Sequence, residues 1–220
     1  MPKRSPLSRE AVVAAAVRVA DDAGLTGVSM RSVAREAGVE AMSLYHHVRS
    51  KDDLLDELAD WVYTAIALPE RASPWRLAMT QRADSTRAAI TRHPWSLGLM
   101  ESRRNAGPAL TGHHDAVLGC LRGNGFDVRL AMHAVSVLDA YVYGFTLSEL
   151  NLPMRPDETE EEFAATLGLT AEAYPHIAEA MAEAVVGQDY AFADEFGWGL
   201  ELVLDGLETR LADERGGDGR

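Results

Sequence analysis

One stretch limits what this chain can become: Ser29 to Lys51, SMRSVAREAGVEAMSLYHHVRSK. It reads as two short helices joined by a Gly-containing turn, Ala37-Gly38-Val39. The second helix, about Ala41 to His47, brings Ser43, Tyr45, His46 and His47 close together. That is the plan of a helix-turn-helix, whose second helix lies in the DNA major groove. The remaining chain is read as what makes such a unit dimeric and ligand-controlled.

Charge tests this reading first. The chain carries a net −13, whereas a DNA binder must neutralise phosphates. The distribution matters more than the sum. Residues 1–51 hold eight Lys/Arg against five acids, a net +3, which leaves −16 for the remainder. An acidic bulk repels DNA and orients the basic end toward it. So modest a charge predicts that two heads act together.

The chain is long enough, at 220 residues, for a small domain and a larger one. With 47% hydrophobic and 25% charged residues it has the composition of a globular protein. No run of about 18 uncharged apolar residues suggests a membrane span, and MPKRSPLSRE lacks the apolar centre of a signal peptide. The single Cys120 excludes an internal disulfide and fits a cytoplasmic setting. In VLGCLRG it reads as a small buried hydrophobe.

Residues 1–7 form a basic, Pro-containing arm that should be mobile away from DNA. Ser8 caps a first helix to about Ala23, ended by Gly24, with Val12, Ala16, Val19 and Ala20 at helical spacing. Ser29 caps the second helix, with Met30, Val33, Ala34 and Ala37 inward and Arg31 and Arg35 outward. Ser50-Lys51-Asp52-Asp53 resembles a capping box that starts a fourth helix running to about Leu68. Beyond Pro69 no β-branched alternation suggests a sheet. Ser73-Pro74 starts a helix to about His93, and Gly and Pro punctuate helices near 95–102, 108–122, 128–151, 159–167, 171–186 and 189–213. The tail Arg215 to Arg220 should be disordered. The expectation is an all-α protein. A three-helix head (1–50) is joined by the fourth helix (51–68) to a helical-bundle domain for effector binding and dimerisation (69–214).

Two helices are unusual. From Leu130 to Leu150 the only formal charges are Asp139 and Glu149, and a helix apolar nearly all round must be covered on several sides. The last helix contains Gly197, Gly199 and Gly206, each costing about 1 kcal/mol relative to Ala. Pairing with copies in a second subunit accounts for both, as does burial in a larger monomeric bundle.

These residues resemble the tetracycline-repressor (TetR) family of bacterial regulators. The match runs over about residues 7–60: Leu7-Ser8-Arg9-Glu10, Gly24-Leu25, Met30-Arg31, Val33-Ala34, Gly38-Val39, Ser43-Leu44-Tyr45, His47-Val48 and Lys51 to Leu55. Asn124-Gly125-Phe126 with Arg129, and Gly199-Leu200-Glu201-Leu202 with Gly206-Leu207-Glu208, extend it toward the tetracycline repressor's own subgroup. The resemblance implies a homodimer with two DNA-binding heads on a palindromic operator and an effector pocket in each core. It implies DNA contacts from Arg31, Ala41, Met42, Ser43, Tyr45, His46, His47 and Lys51. Lys51 is the expected phosphate clamp and Arg31 a base or phosphate reader. Ala41 and Met42 stand where tetracycline repressors carry Gln and Pro, and His46 stands for Trp, so a different operator is expected.

The tetracycline repressor holds a metal–drug chelate through two His and an Asn. The corresponding stretches here, TAIALPE, AMTQRADS and SLGLMESRR, contain none, so neither that chelate nor a resident metal or cofactor is expected. The candidate effector residues are Trp75, Met79, Trp95, Met100, Met132, Tyr141 and Phe145, with His113 and His133 as polar anchors; core packing is the other reading of each. His113-His114-Asp115 makes no chelate unaided, because adjacent helical side chains diverge by about 100°, and a third ligand such as Glu101 would be needed. No phosphate loop, nucleophile elbow or HExxH points to an enzyme. Glu160, Glu161 and Glu162 after Thr159 look like a helix N-terminal turn. A regulator controlled by a protein partner, or one without an effector, is the alternative.

Overall fold

In the computed structural model, residues 7–102, 107–155 and 157–217 are described, and the secondary structure among them is entirely helical. The chain forms two compact units, Met1–Tyr143 and Gly144–Arg220. Helix α1 (Arg9–Gly27) begins where Ser8 Oγ accepts the Ala11 N–H at 3.2 Å. Gly24 interrupts it at φ +64°, ψ −178°, so the expected end near Ala23 is a real break followed by one more turn. Helix α2 (Met30–Ala37) opens on a reciprocal cap: Ser29 Oγ accepts the Ser32 N–H at 3.1 Å and Ser32 Oγ accepts the Ser29 N–H at 2.9 Å. Gly38, at φ +68°, closes it in the left-handed conformation that glycine adopts without penalty.

The next two helices are shorter than the sequence suggests. Helix α3 spans only Ala41–Leu44, not Ala41–His47. The N–H groups of Ser43, Tyr45 and His47 each bond three residues back, at 2.9, 3.3 and 2.8 Å, so the segment winds more tightly than an α-helix. Leu44 and Val48 are both buried, which holds the tightened turn in place before Ser50 starts a new helix. In helix α4 (Lys51–Tyr63), Ser50 Oγ accepts the Asp53 N–H at 3.1 Å. The Asp53 carboxylate turns to Arg49, accepting its backbone N–H at 2.9 Å and its guanidinium at 2.8 Å. These bonds hold the Asp53 carboxyl below its ordinary pKa. Helix α4 stops five residues short of Leu68, because Thr64, Ala65 and Ile66 revert to three-residue hydrogen bonds and Thr64 Oγ1 bonds the Trp61 carbonyl at 2.6 Å.

The head is held by an aliphatic cluster: Val12, Ala16, Ala20, Val28, Val33, Ala34, Leu44, Val48, Leu54 and Leu58 are all buried. Met30, Ala37 and Val19 pack partly buried against it, as their spacing predicts. Helix α5 (Trp75–Arg92) takes Pro74 itself as its N-cap. Asn124 secures this start, donating Nδ2 to the Ser73 carbonyl at 2.9 Å and accepting the Trp75 N–H at 3.4 Å. Helices α6 (Ser96–Ser102), α7 (Pro108–Gly123) and α8 (Val128–Leu150) follow, and Cys120 is buried as expected. By length and composition α8 could cross a bilayer. Its buried row Leu130, Ala134, Leu138 and Val142, and its Asp139 paired with Arg82, make it a bundle helix instead.

In the second unit, α9 (Glu160–Thr166) carries the expected Thr159 capping box with Glu162. The helix expected over 171–186 is broken. Pro175 starts α10 (Pro175–Ala180) and leaves Tyr174 at φ −138°, ψ 67°, because the residue before proline is driven out of helical space. A π-helical turn follows over Met181–Val185, then a 3-10 turn over Phe192–Asp194 and α11 (Glu195–Gly217). Residues 215–217, expected to be disordered, extend this last helix; the end of the tail, like residues 1–6, lies outside the described residues. A Cβ added at Gly197 or Gly206 meets nothing within 4 Å, so no neighbouring helix among the described residues explains those glycines. Trp198 and Leu202 on α11, and Val128, Met132, Val137 and Leu147 on α8, are exposed.

Candidate nucleic-acid interface and polar core

The tight turn after α2 sorts its side chains into two sets. Leu44 is fully buried, which anchors α3, while Met42 is 74% and Tyr45 46% exposed. His46 is exposed and Ala41, Ser43 and His47 are half-buried. Arg31 and Arg35 project one turn apart from α2, and Lys51 opens α4; all three are exposed and make no ion pair among the described residues. The other described cations of the head are engaged: Arg9 with Glu57, Arg18 with Glu36, Arg49 with Asp53. Three uncommitted positive charges therefore flank the exposed face of α3. Lys3 and Arg4 of the N-terminal arm lie outside the described residues.

The residues expected to hold an effector lie in several different settings. Trp75 packs edge-on against Phe126 at 5.0 Å. Trp95 turns toward the head, donating Nε1 to Asp21 Oδ1 at 2.7 Å beside His93 Nδ1 at 2.6 Å from the same oxygen. Met100 packs partly buried against the head cluster. Met132 and His133 are exposed on α8, so no protomer cavity holds them. Phe145 stacks on Phe192 at 4.9 Å in the second unit. Tyr141 is half-buried, and the side chain of Glu101 lies outside the described residues.

What remains is a buried polar centre around His113, which is 1% exposed. Arg82, 2% exposed, donates Nε–H to His113 Nε2 at 2.9 Å and Nη2 to Asp139 Oδ1 at 2.6 Å. The ring of Tyr63, the last residue of α4, lies 5.5 Å from that of His113 and 6.0 Å from that of His114. Met79 and Thr86 are buried on the same face of α5 as Arg82. Burial, then the Arg82 charge, brings the His113 pKa down to about 4, so the imidazole is neutral at pH 7. Burial, with Asp139 and Tyr63 beside it, pushes the Tyr143 phenol well above its ordinary range. Helices α4, α5, α7 and α8 thus meet around one compensated ion pair and a neutral histidine.

The stretches that carry both regions match known family models. A model of bacterial regulatory proteins of the tetR family matches residues 12–58, and a tetracyclin repressor-like C-terminal domain model matches residues 68–211. The chain belongs to the TetR family. The HTH-type transcriptional repressor DrrR1 of Streptomyces coeruleorubidus is 36% identical, covering 98% of this chain and 83% of that one. The class D tetracycline repressor protein of Escherichia coli is 27% identical over 93% of this chain and 91% of its own. Among solved structures, ActR of Streptomyces coelicolor in complex with actinorhodin superposes with a TM-score of 0.76 at 27% identity, covering 93% of this chain and 96% of that one. This TetR-family protein is therefore a DNA-binding transcriptional regulator and not an enzyme. Sequence reasoning named His113 as a polar anchor for an effector, or else core, but missed Arg82 and Asp139, whose pairing no local spacing announces. Arg35 had a sequence signal, four residues after Arg31 on one helical face, and is one of the exposed, uncommitted cations.

Proposed function

We propose that this protein is a homodimeric repressor that grips a palindromic operator through two heads and releases it when a small apolar or aromatic effector enters its core. The observation that carries the DNA half is the sorting around α3: Leu44 buried, Met42 and Tyr45 outward, Arg31, Arg35 and Lys51 uncommitted beside them. Tyr45 and Lys51 bind phosphate, Arg31 and Met42 meet base edges, and Ala41, Ser43, His46 and His47 complete the contact surface. A dimer is supported by the apolar side chains exposed on α8 and α11 and by open glycines on α11 with no partner helix among the described residues. The cytoplasm, where DNA is found, is the implied location.

Control runs through α4. The fourth helix is shorter than its sequence pattern, yet its two ends still touch both functions. Lys51 stands at the DNA-facing end, and Tyr63 packs against the His113 centre. At 1.5 Å per residue its 13 residues span about 20 Å. A ligand that shifts Tyr63 shifts the head by the same rigid element and favours a dimer with altered head spacing.

Selection from random duplexes tests this. The recovered sequence should be an inverted repeat with half-sites about 34 Å apart, and the complex should contain two chains. Actinorhodin, bound by the relative ActR, is the first effector to try and should weaken operator binding. A single unrepeated half-site bound by one chain would sink the dimer reading. A ligand bound tightly in the core that leaves operator affinity unchanged would remove the effector.

A further inference from the structure

The tautomer of His113 is dictated by its neighbour. A guanidinium only donates, so Arg82 Nε–H at 2.9 Å requires His113 Nε2 to be the unprotonated, accepting nitrogen. The ring is neutral, with its pKa near 4, and its one proton therefore sits on Nδ1. That Nδ1–H is buried and has no hydrogen-bond partner among the described residues. Buried donors are almost always satisfied, and leaving one unmet weakens folding about ten-fold or more. Two aromatic rings lie near the imidazole, their centroids 5.5 Å (Tyr63) and 6.2 Å (His114) from its own.

We propose that His113 Nδ1–H is the donor that reads an acceptor oxygen on the effector, and that this effector is a flat aromatic molecule bearing a neutral carbonyl or quinone oxygen. The proposal rests on the effector reading above. The surroundings select the class. Arg82 is already compensated by Asp139 at 2.6 Å, so no excess positive charge favours a carboxylate. Neither nitrogen of His113 has a lone pair to offer a metal, since one accepts from Arg82 and the other bears the proton. His113 therefore cannot itself ligate a metal, and binding through this anchor should not require added magnesium. The Tyr63 ring beside the donor gives the ligand's plane a surface to lie on, at the end of the helix that carries Lys51.

Long-range proton–nitrogen spectra of the 220-residue protein test the first step. At pH 7 His113 should appear as the Nδ1–H tautomer; an Nε2–H form or an imidazolium overturns the proposal. A matched pair of probes tests the second: 1-indanone, and indane, which lacks only the oxygen. In the wild type 1-indanone should shift the His113 Nδ1–H resonance and bind about ten-fold more tightly than indane, with or without magnesium. His113→Phe should reduce that ratio to near one, while His113→Gln, which keeps an acceptor for Arg82 and a donor for the ligand, should retain part of it. Equal binding of the two probes by the wild type, or an unmoved Nδ1–H resonance, overturns the proposal even if His113→Phe fails to fold. Selectivity for 1-indanone without any effect of core ligands on operator binding upholds the anchor and overturns the effector reading. Release of the operator by actinorhodin at the same concentration from wild type and His113→Phe does the reverse.

Discussion

The head and the polar centre of the core solve opposite problems with the same kind of secondary structure. The head buries mainly aliphatic side chains around Leu44, Leu54 and Leu58 and turns its uncommitted charges outward. The centre buries charge: Arg82 is buried and bonds both the half-buried carboxylate of Asp139 and the neutral ring of His113. Apolar burial is non-directional, so the head needs only residues of roughly the right size and spacing. A buried ion pair depends on orientation, because its desolvation is offset only when every polar atom is met. One region is built to present a surface, the other to register the position of groups within it.

The sharpest way to break this contrast is to unpair the centre. Asp139→Leu should cost about 3–5 kcal/mol, since it leaves the buried Arg82 guanidinium without its carboxylate partner, whereas Asp139→Leu with Arg82→Met should lose clearly less than the two single changes summed. Urea unfolding would show it; strict additivity would mean that the pair is not coupled. In the head, Leu44→Ala should cost about 2–5 kcal/mol by the cavity it leaves, with a parallel loss of operator binding at temperatures where the protein is still folded. A stable, fully active Leu44→Ala protein would show that α3 is not held by its buried side chain.

Acid should separate the two regions further. His113 titrates near 4 in the fold against about 6.5 when unfolded. The unfolded chain therefore binds the extra proton first, and stability is lost as pH falls from about 6.5 toward 4, by on the order of 2–3 kcal/mol. His113→Gln should flatten that part of the pH profile, measured by thermal unfolding. An unchanged profile would place His113 in contact with water. Ser50→Ala, which removes the cap of α4, should cost about 1 kcal/mol in the same measurement. The smallest expected effect concerns charge alone: Lys51→Ala should leave stability unchanged, weaken binding to all DNA sequences and lower the salt slope by about 1. A change of base preference at one position would instead make Lys51 a base reader.

Local chemistry made the head readable. Ser8, Ser29 and Ser50 act as caps, Gly38 takes the left-handed turn, and Val33 and Ala34 face inward, all decided within a few residues along the chain. The lengths of α3 and α4 were harder to read, because three-residue hydrogen bonds at Ser43 to His47 and at Thr64 to Ile66 reflect packing and have no spacing signature. Around the effector candidates the sequence offered a list of aromatic and soft residues without a way to rank them. Trp95 reaches Asp21 and Trp75 meets Phe126 through contacts between residues 51 to 74 positions apart, and such contacts leave no periodic trace.

The sequence by itself determined that this is an all-helical regulator with a DNA-reading head, because caps, turn glycines and the run SLYHHVRSKDDLLDELAD act locally and in order. Only the tertiary structure decided which proton His113 carries and where it points. That answer requires Arg82 from α5 and Asp139 from α8 to meet it at hydrogen-bond distance, and a hydrogen bond between distant helices exists only once the bundle has closed.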